Sequence, residues 1–351
     1  MIVIFAGALT AVVLLTGLVI DGGYAFSQRR GAQNAADFAA LAGARIIAEN
    51  IGQDTVNGTD ANVKAAIVAS IASNGATPIT FGVPGAPQYV DSNGAIVPSA
   101  PVSASYVGNG TIPTGAAGVI VHSNRSWKPF FLGLIGVSNW SASANATAKG
   151  GYSTGGPSGP VFPAAISQSF FQSFPYCNGP VSVNPTDACY PHQLTPGNLN
   201  VPGGFGWLKF GCSGYGLGQD PPANAGGCGN SKPFLQAEIG PPGQSYGCCT
   251  KVGITGSLDR IGSLPGNKAS ADCSYYINNA ITVTVPVFDT AGGTGQNAWY
   301  HIIGYAGFQI TACNGGKDIA GVWRKAFFTG PTSTTPPAGF QQAPLGIQLV
   351  Q

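Results

Sequence analysis

Residues 1–20 read MIVIFAGALTAVVLLTGLVI, and residues 21–50 continue as DGGYAFSQRRGAQNAADFAALAGARIIAEN. The first of these stretches carries no charge and no proline. Ile2, Val3, Ile4, Phe5, Leu9, Val12, Val13, Leu14, Leu15, Leu18, Val19 and Ile20 leave it no polar face, and a helix apolar all round is buried in lipid or among other helices. Gly7, Ala8, Ala11 and Gly17 are small enough to let helices approach closely. At about 1.5 Å rise per residue, such a run just crosses the hydrocarbon core of a bilayer. The second stretch keeps a helical pattern with almost no helix breaker, so the two predict one helix on the order of 75 Å long. Its stripe of Ala35, Phe38, Leu41, Ala42 and Ile46, at spacings of three and four, predicts packing on the globular part of the chain. Gln28, Arg29, Asn34, Arg45 and Glu49 populate the remaining faces. The candidate assembly helix therefore comprises Ile4, Phe5, Leu9, Val12, Val13, Leu14, Leu18, Phe38 and Leu41.

No basic segment precedes the apolar run, and Arg29-Arg30 follow it, which is not the pattern of a standard cleavable signal peptide. The positive-inside rule alone would direct the rest of the chain to the cytoplasm. The cysteines argue for the opposite side, so a short basic leader ahead of Met1 is an expectation. Met1 is the only methionine, which fits an initiator start instead.

Eight cysteines fall at Cys177, Cys189, Cys212, Cys228, Cys248, Cys249, Cys273 and Cys313, all in the second half. Their even count and wide spacing read as up to four disulfides in an oxidising compartment, with free buried thiols as the alternative. Connectivity is not readable, although the adjacent Cys248 and Cys249 favour two different partners because a bond between neighbours is strained. No CxxC pair occurs, and His122, His192 and His301 are scattered, so no zinc-type spacing exists.

Charged residues make up only 8% of the chain, while Gly 53 and Pro 27 exceed a fifth of it. This suits an exported protein whose faces pack against neighbours better than a cytosolic enzyme. A net charge of +2 with dispersed basic residues argues against nucleic acid as a partner.

A second helix is expected after Thr59-Asp60, with Val63, Ala66, Ile67 and Ile71 at helical spacing and Asn74-Gly75 as the stop. Residues 76–150 then turn to short β runs, among them Ser103–Val107, Gly118–His122 and Trp140–Asn145. A linker, GGYSTGGPSGP at 150–160, leads to further runs at Val161–Ser167, Gly206–Phe210, Ile281–Phe288, Tyr300–Ala312 and Ile319–Phe328, and LGIQLV at 345–350 is a candidate closing strand. The expected fold is α+β: a long helix over residues 1–50, an α/β head over 51–150, and an irregular disulfide-stapled antiparallel β domain over 151–351.

Two stretches carry a resemblance. The first is Asp21-Gly22-Gly23-Tyr24, Gln28-Arg29-Arg30, Gln33-Asn34-Ala35-Ala36-Asp37 and Ala39-Ala40-Leu41-Ala42-Gly43-Ala44. The second is Arg125-Ser126-Trp127-Lys128-Pro129-Phe130-Phe131, Leu134-Ile135-Gly136, Trp140-Ser141-Ala142-Ser143-Ala144 and Ala146-Thr147-Ala148. Together they resemble the TadE/TadG-like proteins of bacterial tight-adherence (Flp) pilus systems over roughly residues 1–150. The resemblance implies a type IV pilin-like plan of hydrophobic stem and β head, an envelope-anchored or pilus-associated structural role, and no catalytic residues. With Met1 taken as the mature start, Phe5 stands where prepilins of such systems carry a glutamate, and no DxSxS motif of a metal-dependent adhesion domain is present.

Enzyme chemistry finds little support. Asp289 and His301 flank a Gly-rich loop, but no GxSxG elbow, GxxxxGK[ST] cradle or DxDxDG loop accompanies them. No catalytic, cofactor-binding or metal-binding residue is assigned, and no cofactor is expected. The chain is expected to form a homo-oligomer through its N-terminal helices, inserted in a membrane before assembly and in contact with pilus machinery, as a subunit of an extracellular filament. The alternative is a surface protein held by a single transmembrane helix.

Overall fold

Ile2–Ile51 form a single helix, α1, of 50 residues, about 75 Å long. Gly22 and Gly23 lie inside it without breaking it. The computed structural model of the chain describes residues 2–52, 54, 56–98, 101–153, 162–177, 179–194, 204–209, 260–265, 273–293, 299–313, 318–336 and 345–350. Two compact units emerge: Met1–Gly151 with Ile347–Gln351, and Tyr152–Gly346. With a helical stem and a β-rich remainder, the class is α+β.

In the first unit, α1 is followed by α2 (Asp60–Ser73), β1 (Gln88–Val90), β2 (Gly118–Trp127) and β3 (Trp140–Ser153). The sheet order is β1-β2-β3, with the C-terminal strand Leu345–Val350 next to β3. β2 and β3 form an antiparallel hairpin running from Gly118↔Lys149 to Trp127↔Trp140. Thr59 caps α2 by accepting a hydrogen bond from the Asn62 amide at 3.3 Å.

Alanine forms the packed face of α1. Ala32, Ala35, Ala36, Ala39, Ala40, Ala44 and Ala48 are fully buried, joined by Ile47. They meet Val63, Ile67 and Ile71 of α2 and Tyr89, Val119, Val121, Ala146 and Ala148 of the sheet. A Cβ on Gly43 would lie 2.8 Å from Val119 Cγ1, so only the smallest residues let helix and sheet come this close. Of the expected stripe, Ala35 is buried in this face and the partly buried Leu41 and Ile46 pack against it, whereas Phe38 is exposed. Ser103–Val107, expected as strand, instead lies largely in the 3-10 turn Val102–Ser105.

Asp60, at the first turn of α2, is buried and fully satisfied by one ring of donors. The Tyr89 hydroxyl donates to it at 2.6 Å, and the Gly108 and Gly110 amides donate at 2.8 and 2.7 Å. Burial and the neighbouring carboxylate push the Tyr89 phenol far above its ordinary range.

The second unit holds β4 (Ile166–Ser167), α3 (Gln168–Gln172), β5 (His192–Leu194), β6 (Gly204–Lys209), β7 (Arg260–Pro265), α4 (Ser274–Asn278), β8 (Thr282–Gly292), β9 (Trp299–Cys313), β10 (Ile319–Arg324), β11 (Phe327–Thr329) and β12 (Thr332–Ser333). The principal order is β4-β8-β9-β10-β5, with β7 also on β9 and β6 on β7. β8, β9 and β10 are the long runs rich in Val, Ile and aromatic residues, and they form antiparallel pairs. The short β4 departs from the antiparallel expectation by running parallel to β8. The core gathers Leu208, Ile261, Phe288, Tyr300, Ile302 and Tyr305.

Two disulfides are present among the described residues, Cys177–Cys189 and Cys273–Cys313. Cys212, Cys228, Cys248 and Cys249 lie outside those residues. The Arg324 guanidinium braces the first disulfide loop. It donates to the Cys177 and Gly179 carbonyls at 2.9 and 2.6 Å and to Gln309 Oε1 from Nε and Nη2 at 2.9 and 2.6 Å.

Candidate functional site

The two family-like stretches of sequence meet in space. Gly17, Asp21, Tyr24, Gln28 and Gly31 recur at spacings of three and four, so they line one face of α1, and the β2–β3 hairpin with its connecting loop lies along that face. Phe131 packs over Gly17, where a Cβ would stand 2.6 Å from Phe131 Cβ. The Asp21 side chain is fully buried and accepts three successive backbone N–H groups, from Phe130 at 2.8 Å, Phe131 at 2.9 Å and Leu132 at 2.7 Å. These amides open the 3-10 turn Leu132–Ile135, which ends on Gly136 with φ 101°, a conformation that glycine adopts without strain. A carboxylate from one segment thus caps a turn in another, about 110 residues away in sequence.

Burial pushes the Asp21 carboxyl up, but the amides of Leu132, Phe130 and Phe131 outweigh it and hold the carboxyl below its ordinary value. Next along the helix, the Tyr24 ring meets Trp127 and Phe130 edge-on at 6.1 and 5.4 Å, and Trp127 lies 6.0 Å from Trp140. One turn further on, Arg125 donates to Gln28 Oε1 at 3.3 Å and to the Asn74 carbonyl at the end of α2. Its guanidinium fills the space that a side chain on Gly31 would need. Cap, aromatic cluster and arginine together fix the direction of the stem helix on its head.

Of the residues expected in the assembly helix, Ile4, Phe5, Leu9, Val12, Leu18 and Phe38 are more than half exposed. The Val13 and Leu14 side chains lie outside the described ones. Among the described residues no helix is long and apolar enough to cross a membrane, so the transmembrane span expected over residues 1–20 gains no support there; that run includes side chains outside the description. Asp289 and His301 come together across β8 and β9, with His301 Nδ1 2.6 Å from Asp289 Oδ1 and the Thr290 hydroxyl donating to the same oxygen at 2.8 Å. Burial opposes, but His301 and Thr290 hold the Asp289 carboxyl below its ordinary value. Among the described residues no three of His, Cys, Asp and Glu gather to hold a metal ion.

Asp21 and Arg125 are structural anchors; in the sequence each stands at the head of a family-like stretch, but neither was given a role there. The available signal was a lone acid at the edge of an apolar run and a lone Arg before the hairpin tip, each needing a partner once buried.

Residues 1–45 match the sequence model of the Tad family, described as putative Flp pilus-assembly TadE/G-like. No curated protein and no solved structure matches the chain. The match covers most of α1, including the face that the Asp21 cap, the aromatic cluster and Arg125 clasp, and it makes this helix similar to that of putative Flp pilus-assembly proteins.

Proposed function

We propose that this chain is a structural subunit of an extracellular pilus-like filament. The N-terminal helices bundle in the core as a homo-oligomer, and the heads coat the surface. Before assembly, the uncharged run resides in the membrane. The observation that carries this reading is the exposed apolar half of a single continuous helix. Ile4, Phe5, Leu9, Val12, Leu15, Leu18 and Val19 are all exposed, from 54% at Leu18 to 78% at Ile4. Apolar surface on this scale calls for a partner, and copies of the same helix supply one at every level. Val13, Leu14, Phe38 and Leu41 belong to the same proposed bundle.

A second reading is a membrane-anchored TadE/G-like protein of pilus assembly or surface adhesion, which the bilayer-matched length of the uncharged run favours. Electron microscopy of material sheared from cells, with N-terminal sequencing of the dominant band, separates the two. Fibres composed of this chain support the filament; a chain confined to the membrane pellet supports the anchor. In the filament, Leu15→Arg places a charge in the helix bundle at a cost of several kcal/mol. It abolishes fibres while the head stays folded, and normal fibres from this variant would refute the bundle.

A further inference from the structure

The loop joining β2 to β3 is unusually apolar for a hairpin tip. It reads KPFFLGLIGVSN over residues 128–139. Phe130 is 62% exposed and Val137 36% exposed, although the loop backbone is anchored firmly by Asp21. The anchor sets the loop's height along α1: Phe131 stands beside Gly17, in the last turns of the uncharged run. Chemistry is then layered along the helix axis. The apolar tip is level with the end of the apolar run. Tyr24, Trp127 and Trp140 follow as a cluster. Lys128, Arg29 and Arg30 are exposed around and beyond them.

Apolar, then amphipathic aromatic, then cationic is the sequence of layers that matches the boundary between hydrocarbon and headgroups. Charge decides between lipid and a second copy. Residues 22–36 and 118–140 contain no Asp or Glu, so this end of the unit presents cations alone. A copy of the same surface would be repelled, whereas an anionic bilayer surface attracts each Lys or Arg by about 1 kcal/mol.

We propose that the hairpin tip Phe130–Val137 is a second lipid contact. It seats the head of the protein on the anionic membrane interface beside α1 before assembly. The inference rests on the membrane-resident stage of the proposed function.

The test uses the full chain in vesicles of phosphatidylcholine with phosphatidylglycerol. Phe130→p-benzoylphenylalanine places a photo-crosslinker at the tip without touching the amide that Asp21 binds, and Val183→p-benzoylphenylalanine serves as a water-exposed control. After flotation and illumination, the expected result is a lipid adduct several-fold more abundant at 130 than at 183, and less abundant when phosphatidylglycerol is omitted. A protein dimer adduct at 130 would show that a second copy covers the tip and overturn the inference. So would the absence of any excess adduct at 130 in a chain that floats with the vesicles. A chain that fails to float at all would refute the membrane-resident stage itself, and the lipid contact with it, which distinguishes the two failures.

Discussion

Gly17→Ala should loosen the hairpin, whereas Gly22→Ala and Gly23→Ala should only strengthen the helix. All three positions lie inside α1, where alanine is favoured over glycine by about 1 kcal/mol. At Gly22 and Gly23 an added Cβ meets nothing within 4 Å, so the full gain is realised. That corresponds to a rise in Tm of about 2–4 °C for a unit of this size. At Gly17 the new Cβ would lie 2.6 and 2.7 Å from Phe131 Cβ and Cγ. Rotating the side chain moves Cγ but not Cβ, which is bonded to the loop backbone, so full relief requires the loop itself to lift. Overpacking of this kind costs about 1–3 kcal/mol, which cancels or exceeds the helical gain. Because lifting the loop draws the Phe130, Phe131 and Leu132 amides off Asp21, a cost of about 2 kcal/mol falls on their protection and speeds their hydrogen exchange about thirtyfold. Exchange mass spectrometry and thermal unfolding of the full chain in detergent measure both effects. If Gly17→Ala raises Tm as Gly22→Ala does and leaves those amides protected, the clasp does not hold the helix in the way described.

The Asp21 carboxyl lies below its ordinary value of 3.8 in the folded chain. Its contribution is therefore complete above that value and drains away as pH falls through it toward the lowered one; Trp127 and Trp140 fluorescence should report this acid loosening, and Asp21→Asn should remove the transition. Tyr89→Phe takes one of three donors from the buried Asp60, and urea unfolding of the head should show a loss of about 1–2 kcal/mol. Arg324→Met removes the brace on the Cys177–Cys189 loop and leaves the carbonyls of Cys177 and Gly179 without it, so that loop should become the first part of its unit to be cut by protease, at a stability cost of about 2 kcal/mol. An unchanged cleavage pattern would count against the brace.

The long helix, α2 and the strongest strands were legible because each carries its own periodicity. Fifty residues without proline read as helix, and the Val, Ile and aromatic runs near 285, 305 and 322 read as strands. The packed face of α1 was legible only in part. Of the periodic stripe Ala35, Phe38, Leu41, Ala42 and Ile46, Ala35 is buried in that face and Leu41 and Ile46 pack against it, but Phe38 is exposed. The centre of the contact is made of alanines, Ile47 and Gly43, because close approach selects for small volume more than for hydrophobicity. The clasp was half legible: both of its stretches stood out as family-like, but nothing local says that a carboxylate at 21 finds amides at 130–132. Ser103–Val107 misled because alternating small polar residues fit a strand and a 3-10 turn equally well. The parallel pairing of β4 has no sequence signal in a two-residue strand.

The chain leaves its first unit after β3 and comes back to it only at Ile347, where its last strand lies next to β3. In topological terms the disulfide-bearing unit is an insert in the chain between β3 and the last strand of the first unit. A protein shortened at residue 153 would not be a clean stem-and-head fragment: it would expose the unpaired edge of a fourteen-residue strand, a template for aggregation. A short bridge from Ser153 to Leu345 would return the last strand to its place beside β3.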